Sequence, residues 1–244
     1  VPAAVRAVRD QIDIARTLFI VSSKSGTTVE PNALYRYFRE LADQAVGQQE
    51  SGSHFIAVTD AGTPLDMLAR EHRFRRAFRN PSDIGGRYSV LSYFGMVPAA
   101  LHGIDISRLL ARARAMRTAC SAEVDASVHP GLRLGAVMGS MALNGRDKLT
   151  VVTSPAIEGL GRWVEQLIAE STGKEGRGIV PVVGEPLVDP RHYGDDRLFV
   201  YLRLDGDDNE EADQALDKIE SAGHPVVMFS LRDAFDLGAE FFRW

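Results

Sequence analysis

The sequence is poor in cysteine and histidine, which excludes several kinds of site. Cys120 is the only cysteine among 244 residues, so neither a disulfide framework nor a cysteine-rich metal site is available. The six histidines are scattered, and no pair has the His-x-x-x-His spacing typical of metal ligands. A chain with one cysteine fits a reduced, cytoplasmic compartment.

Long apolar runs and excess positive charge are also missing. No apolar run approaches the ~18 residues that a membrane-spanning helix needs, and the amino end does not have the pattern of a signal peptide. The net charge of −5 gives no support for nucleic-acid binding, and the arginine-rich stretch at residues 70–79 is expected to be solvated surface. We therefore expect no membrane or nucleic-acid partner.

Strand-like and helix-like patterns alternate along the chain, and the alternation runs twice. Strands are predicted near residues 18–21, 55–58, 74–78, 149–152, 179–183, 198–202 and 226–229. Helices are predicted near residues 31–46, from residue 64, and at 88–101, 106–120, 130–143, 157–171 and 209–221. This order predicts an α/β fold with parallel sheets. We expect two domains, residues 1–103 and 104–244, joined by a helical connection. Each is expected to be a doubly wound unit in which a parallel sheet lies between two layers of helices (α/β/α).

Both ends of the chain lie inside patterned segments. The sequence begins without methionine within a helical pattern and stops at Trp244 within an apolar run. We expect each domain to be incomplete at its outer end, as part of a longer protein.

A hydroxyl-rich turn follows the first predicted strand. Residues 22–28 read Ser-Ser-Lys-Ser-Gly-Thr-Thr, and Glu30-Pro31 then opens a helical pattern. Backbone N–H groups at a helix amino end favour an anion, the hydroxyls and Lys24 add donors, and Gly26 lets the backbone come close. The glycine spacing of nucleotide-binding loops is absent. The turn predicts a site for a small phosphorylated molecule, and an ordinary polar turn is the alternative.

Paired glycines precede an arginine at Gly85-Gly86-Arg87. Glycines permit unusual torsions, so the chain can pass close to a ligand there. Arg87 would offer a planar cation to a phosphate or a developing oxyanion. A flexible linker with a solvated Arg87 is the alternative.

Glu170 ends an amphipathic helical pattern before Ser-Thr-Gly-Lys at residues 171–174. A carboxylate at this end of a helix meets the negative pole of the dipole, which favours its protonated form. Such a group suits proton abstraction next to a carbonyl. A surface glutamate beside Lys174 is the alternative.

Together these motifs resemble the glucose-6-phosphate isomerase family. Ser-Lys-Ser-Gly-Thr-Thr at 23–28 resembles the phosphosugar site of sugar isomerase domains. Residues 82–95, Ser-Asp-Ile-Gly-Gly-Arg-Tyr-Ser-Val-Leu-Ser-Tyr-Phe-Gly, resemble a signature of the family, and Glu-Ser-Thr-Gly-Lys at 170–174 resembles its Glu-Ser-Asn-Gly-Lys segment. The segments at 161–167 and 200–204 are most similar to isomerase modules fused to a transaldolase.

The resemblance implies reversible isomerisation of glucose 6-phosphate and fructose 6-phosphate through a cis-enediolate, without metal or organic cofactor. The implied phosphate ligands are Ser23, Lys24, Ser25 and Thr28, and Gly86 would contact the substrate. Arg87 would stabilise the enediolate, and Glu170 would move the proton between C1 and C2. The resemblance also implies a homodimer or a transaldolase fusion as the assembly.

Three departures from the family pattern stand out. No Gly-Gly-Ser turn precedes the hydroxyl-rich turn, no lysine after a Phe-Asp-Gln segment is present, and residues 205–211 hold no ring-opening histidine. Neither His192 nor His224 matches that histidine, so no ring-opening residue is assigned. We expect weak phosphosugar binding and poor turnover from these 244 residues. A non-catalytic phosphosugar sensor is the alternative function, and specificity for another epimer such as mannose 6-phosphate remains open.

Overall fold

A computed structural model describes residues 2–244, and these form two compact units. The first unit ends at Ile104 and the second covers Asp105–Trp244. Val1, where the first predicted domain begins, lies outside the described residues. The described chain is α/β with parallel sheets, as the sequence predicts.

The first unit contains a three-stranded parallel sheet of order β1-β2-β3. Its strands are β1 (Phe19–Ser22), β2 (Phe55–Asp60) and β3 (Arg76–Asn80). Its helices are α1 (Pro2–Gln11), α2 (Val29–Val46), α3 (Pro64–Glu71) and α4 (Tyr93–Leu101).

Side chains alternate across the central strand β2 and build a core on each face of this sheet. Phe55 and Ala57 lie in a cluster with residues of α2 and α3, including Tyr35 and Leu65. Ile56 and Val58 pack on the other face against Val97 and Phe94 of α4. Every residue of β2 is buried, which explains why this strand reads as a continuous apolar run rather than as an alternating pattern.

The second unit contains a four-stranded parallel sheet of order β5-β4-β6-β7. Its strands are β4 (Lys148–Thr153), β5 (Val180–Val183), β6 (Arg197–Leu204) and β7 (Val226–Leu231). Its helices are α5 (Ile106–Ala119), α6 (Pro130–Leu143), α7 (Glu158–Thr172), α8 (Glu210–Ser221) and α9 (Leu237–Arg243).

The second sheet also has helices packed on both faces. Leu198, Val200 and Leu202 of β6 lie in a cluster with residues of α6 and α7. Phe199 and Tyr201 point the other way, into a cluster with Leu216 and Ile219 of α8. Burial raises the pKa of Tyr201 to about 12.

Two predicted boundaries are wrong. The third strand covers Arg76–Asn80 rather than 74–78, because Ile56 of β2 pairs with Arg76 and Asp60 with Asn80. The helix expected at 88–101 begins only at Tyr93. Residues before it form a short 3-10 helix, Gly86–Tyr88, followed by a turn in which the Ser92 hydroxyl accepts from the Phe94 N–H at 3.4 Å.

Candidate active site

The hydroxyl-rich turn lies at the carboxyl edge of the first sheet. It leaves β1 at Ser22 and enters α2 at Val29, with Thr28 as the N-cap residue. The Thr28 side chain makes no capping hydrogen bond, so it satisfies none of the N–H groups in the first turn of α2. Ligands of parallel α/β sheets bind outside this edge, and the amino end of a helix favours an anion there.

Hydroxyl–hydroxyl contacts organise the turn. The hydroxyl of Ser23 accepts a hydrogen bond from the Gly26 N–H at 3.1 Å and shares another with the Thr28 hydroxyl at 3.0 Å. The hydroxyls of Ser25 and Thr27 share a hydrogen bond of 2.8 Å. Ser23 is buried, whereas Ser25 and Thr28 are exposed. Ser23 therefore shapes the turn from inside, while the other two hydroxyls face solvent.

Gly26 is required by geometry. Its φ is +69°, and a β-carbon there would lie 2.7 Å from the backbone nitrogen of Leu65 in α3. The turn thus packs directly onto the first turn of α3. Both the torsion and the contact favour glycine.

Lys24 joins the ends of all three strands of the first sheet. Its ammonium forms an ion pair with Asp60, the last residue of β2, and donates to the Ser82 carbonyl at 2.8 Å. Ser82 lies two residues beyond the end of β3. The hydroxyl-rich turn and the segment leading to Arg87 are therefore held together at one edge of the sheet.

Asp60 was not predicted as a site residue. The signal was present, because Asp60 ends an apolar strand and the carboxyl ends of parallel strands meet at one edge. The Asp60 side chain is only 12% exposed. A carboxylate thus lies inside the site predicted to bind a phosphate.

Arg87 lies in the short 3-10 helix Gly86–Tyr88 and is half-buried. Its guanidinium carbon lies 4.8 Å from the centre of the Tyr88 ring, a distance typical of a cation–π contact. Unusual glycine torsions are not found, since Gly85 has φ −67° and Gly86 is not among the positive-φ glycines. A β-carbon at Gly86 would meet no heavy atom within 4 Å, so this position leaves open space beside Arg87.

Asn80 anchors the segment that carries Arg87. It is the last residue of β3 and is 3% exposed. Its amide oxygen accepts from the Tyr93 N–H at 3.2 Å, and its amide nitrogen donates to the Pro81 carbonyl at 3.1 Å. Both ends of the loop between β3 and α4 are thus tied to one buried side chain.

The arginine-rich stretch surrounds a buried carboxylate. Arg70 and Arg79 both pair with Asp66 at 3.0 Å, and the Asp66 side chain is 1% exposed. Burial alone would raise the pKa of Asp66. Hydrogen bonds from the Gly62 N–H and Arg79, together with both arginine charges, outweigh burial and hold this pKa below its usual value.

Glu170 lies in the second unit, near the carboxyl end of α7, and is exposed. Its carboxylate accepts a hydrogen bond from the Gln166 amide at 3.0 Å. The Lys174 ammonium donates to the carbonyls of Glu170 and Ser171 at 3.0 and 2.8 Å. Lys174 therefore closes the end of the helix, where a cation is favoured by the dipole.

Thr172 stands where the family's segment has asparagine, and it secures the loop after α7. Its hydroxyl donates to the Ile168 carbonyl at 2.9 Å and accepts from the Ile179 N–H at 3.0 Å. The chain returns through a turn in which Lys174 and Arg177 pair. This hydroxyl links the last turn of α7 to the start of β5.

The predicted site residues fall in both units. The hydroxyl-rich turn, Gly86 and Arg87 belong to the first unit, and Glu170 belongs to the second.

Two histidines were considered for ring opening, and the structure places them differently. His224 is 9% exposed and packs against the rings of Tyr193 and Phe199, while His192 is exposed.

Among residues 2–244, no group of three or more His, Cys, Asp or Glu side chains is placed to hold a metal ion. Within the same range, no helix combines the length and hydropathy that a membrane span requires.

Solved structures share this fold. A hypothetical protein from Thermus thermophilus matches 100% of this chain and 67% of its own, with a TM-score of 0.88 and 22% identity. A glucose-6-phosphate isomerase from Chlamydia trachomatis matches 99% of this chain and 56% of its own, with a TM-score of 0.74 and 20% identity. Because the sequence identities are only 22% and 20%, the likeness to these two structures shows that the chain shares their α/β fold and no more.

Sequence comparison then identifies the family. The profile described as phosphoglucose isomerase matches residues 2–178, and the chain belongs to this family. A glucose-6-phosphate isomerase from Symbiobacterium thermophilum is 36% identical over 176 residues, which are 71% of this chain and 39% of that protein. The chain thus spans about two-fifths of the length of this relative.

Proposed function

We propose that the chain carries the phosphate, arginine and glutamate parts of an isomerase site that interconverts glucose 6-phosphate and fructose 6-phosphate. The observation that carries the proposal is the family match over residues 2–178, since this range includes every site residue named above. The curated relative from Symbiobacterium thermophilum is a glucose-6-phosphate isomerase. Both domains are proposed to be doubly wound sugar isomerase domains.

The phosphate of the sugar binds at the hydroxyl-rich turn. The exposed hydroxyls of Ser25 and Thr28 and the ammonium of Lys24 donate to its oxygens, while Ser23 holds the turn in shape. Support comes from the hydrogen bond between the Ser23 and Thr28 hydroxyls and from the uncapped amino end of α2. A preorganised set of donors binds an anion without first having to be ordered.

Proton transfer is assigned to Glu170 and charge stabilisation to Arg87. The Glu170 carboxylate removes the proton from C2 of the open-chain aldose, and negative charge moves onto oxygen in the cis-enediolate, where the Arg87 guanidinium stabilises it. The protonated Glu170 then returns the proton to C1 while the hydroxyl proton of O2 passes to O1, which gives the ketose and the free carboxylate. Gly86 leaves room for the sugar beside Arg87, since no heavy atom lies within 4 Å of a β-carbon built there.

The test is exchange of the C2 hydrogen of glucose 6-phosphate with solvent deuterium, followed by NMR in the full-length protein. Glu170→Gln removes the base and keeps the shape, so exchange should fall by about 10²- to 10⁴-fold, as for loss of a general base. Phosphosugar affinity should change little, because the phosphate ligands lie elsewhere. Glu165→Gln, an exposed glutamate of the same helix, should keep normal exchange. Normal exchange in Glu170→Gln would reject the assignment.

A phosphosugar sensor is the second candidate, because the hydroxyl-rich turn alone is enough to bind a phosphate. A phosphorylated aldonohydroxamate, which mimics the enediolate, separates the two functions. Tight binding that depends on both Arg87 and Glu170 supports the enzyme. Binding that depends on the hydroxyl-rich turn alone supports the sensor.

A transaldolase fusion or assembly as a homodimer, and a cytoplasmic location, belong to the same proposal. The resemblance of residues 161–167 and 200–204 to fused isomerase modules supports the fusion. Membership of the family supports the homodimer, and the single cysteine supports the cytoplasmic location. Sequencing the gene on both sides of the chain and measuring the mass of the native assembly would test the first two.

A further inference from the structure

Asp60 is a carboxylate in a site proposed to bind a phosphate dianion. Its charge repels such a ligand, so its presence there needs a reason. Residue Asp60 is 8% exposed, so it is not a solvated surface group. One of its oxygens contacts Lys24, and the other, Oδ1, is buried without a hydrogen-bond partner among the described residues.

The end of β2 holds Lys24 from two directions. The Asp60 N–H and the Thr59 hydroxyl both donate to the Lys24 carbonyl, at 3.2 and 3.3 Å. The Asp60 carboxylate also forms an ion pair with the Lys24 ammonium, at the tip of the lysine side chain. A long, flexible lysine is thereby fixed at its backbone and at its tip.

The fixed ammonium then reaches across to the next loop. It donates to the Ser82 carbonyl at 2.8 Å, in the segment that leads to Arg87. An ammonium has three N–H donors, and the contacts to Asp60 and Ser82 use two of them. The third can serve a ligand oxygen.

We infer that Asp60 is a positioning residue that holds the Lys24 ammonium between the hydroxyl-rich turn and the Arg87 loop, with one donor left for the phosphate. The inference rests on the proposed function, because it takes Lys24 as a phosphate ligand. Asp60 acts through Lys24 and does not itself bind the phosphate.

The experiment measures binding of inorganic phosphate to the 244-residue chain by NMR titration at constant ionic strength. Asp60→Asn removes the negative charge and keeps the shape of the side chain. Loss of a repelling charge by itself strengthens anion binding, whereas loss of positioning weakens it. We expect the dissociation constant to rise about 5- to 10-fold, the effect of one lost hydrogen bond of ordinary strength. Unchanged or tighter binding would overturn the inference.

Asp43→Asn is the matched control. Asp43 lies on α2 in the same unit and pairs with Arg39 at 2.8 Å, so the same substitution removes a paired carboxylate outside the site. Its phosphate affinity should equal that of the wild type. Equal weakening by both substitutions would indicate a general loss of structure and would overturn the inference.

A double-mutant cycle separates positioning of Lys24 from any other effect. In a Lys24→Gln background the ammonium is absent, so Asp60→Asn should no longer weaken phosphate binding and should tighten it slightly. The same weakening in both backgrounds would contradict the inference. If Asp60→Asn does not fold, Asp60→Glu, which keeps the charge but moves it, should bind phosphate more weakly than the wild type.

Failure of this inference can be told apart from failure of the isomerase proposal. Inorganic phosphate binding involves neither Glu170 nor the enediolate, while deuterium exchange at C2 depends on Glu170. Normal exchange in Glu170→Gln with the expected Asp60 result would reject the proposed chemistry and keep the positioning role. A wild-type chain that does not bind phosphate would overturn the Asp60 inference directly.

Discussion

At the scale of single residues, two independent constraints require glycine at position 26. Its torsion lies in the left-handed region, and a β-carbon built there would lie 2.7 Å from the backbone nitrogen of Leu65. Gly62 shares only the first, with φ +75° and no heavy atom within 4 Å of a built β-carbon. Substituting alanine at Gly26 and at Gly62 therefore separates the energetic cost of the torsion from that of the close contact.

Gly26→Ala should destabilise the first unit more than Gly62→Ala does. The left-handed torsion alone costs about 1–2 kcal/mol for a residue with a β-carbon, and this is expected for Gly62→Ala. At Gly26 the 2.7 Å approach to the Leu65 nitrogen adds backbone displacement, and overpacking typically costs about 1–3 kcal/mol more. Urea unfolding of both variants measures the difference. Equal free energies of unfolding would show that the contact relaxes without cost.

Residue types in the sequence led to the prediction of Lys24 and Arg87 as site residues but gave no information on their surroundings. Lys24 was expected as a phosphate ligand, and the structure places its ammonium against Asp60 and Ser82. Periodicity could not predict this, because Lys24 and Ser82 are 58 positions apart. Such a contact exists only once β1, β2 and β3 align in parallel.

At the scale of elements, the errors of prediction arise where tertiary contacts set a boundary. Residues 88–92 carry a helical pattern, yet the amide oxygen of Asn80 at the end of β3 accepts from the Tyr93 N–H at 3.2 Å, and α4 begins only at Tyr93. The short helix α9 was not predicted at all. It packs against α5, where a β-carbon at Gly238 would lie 2.3 Å from the Leu109 carbonyl.

The loop that follows α7 gives a prediction at this scale. Thr172→Val keeps the side-chain shape but leaves the Ile179 N–H without the hydroxyl that accepts from it at 3.0 Å. An unsatisfied, partly buried donor should cost about 1–3 kcal/mol in the free energy of unfolding. In Thr118→Val, where the hydroxyl donates only to the Arg114 carbonyl at 3.1 Å, a smaller loss is expected. Chemical denaturation checks both, and equal losses would contradict the assigned role of Thr172.

At the scale of the whole molecule, each unit builds its cores from its own residues. The clusters around β2 belong to the first unit, and those around β6 belong to the second. Stability is therefore expected to be distributed between two cooperative units, as in other proteins with sub-global unfolding.

Leu202→Ala tests this distribution. Leu202 is 0% exposed in the centre of the second sheet, so the truncation should cost about 2–5 kcal/mol. Amide hydrogen exchange should lose protection in β4–β7 while β1–β3 stay unchanged. Met228→Ala, at a position 57% exposed on β7, should have little effect on either sheet. An equal loss of protection in both sheets would show that the units unfold together.

Apart from helix α9, the sequence by itself determined the order of helices and strands, the α/β class and the motifs that mark the family, because these depend on local periodicity, turn chemistry and neighbouring residue types. Only the tertiary structure decided that β4 lies between β5 and β6, that Asp60 holds Lys24, and that Asn80 anchors the loop carrying Arg87. The first two depend on strands distant in sequence aligning in parallel, which gathers their carboxyl ends at one edge of a sheet. The third depends on α4 beginning beside the end of β3.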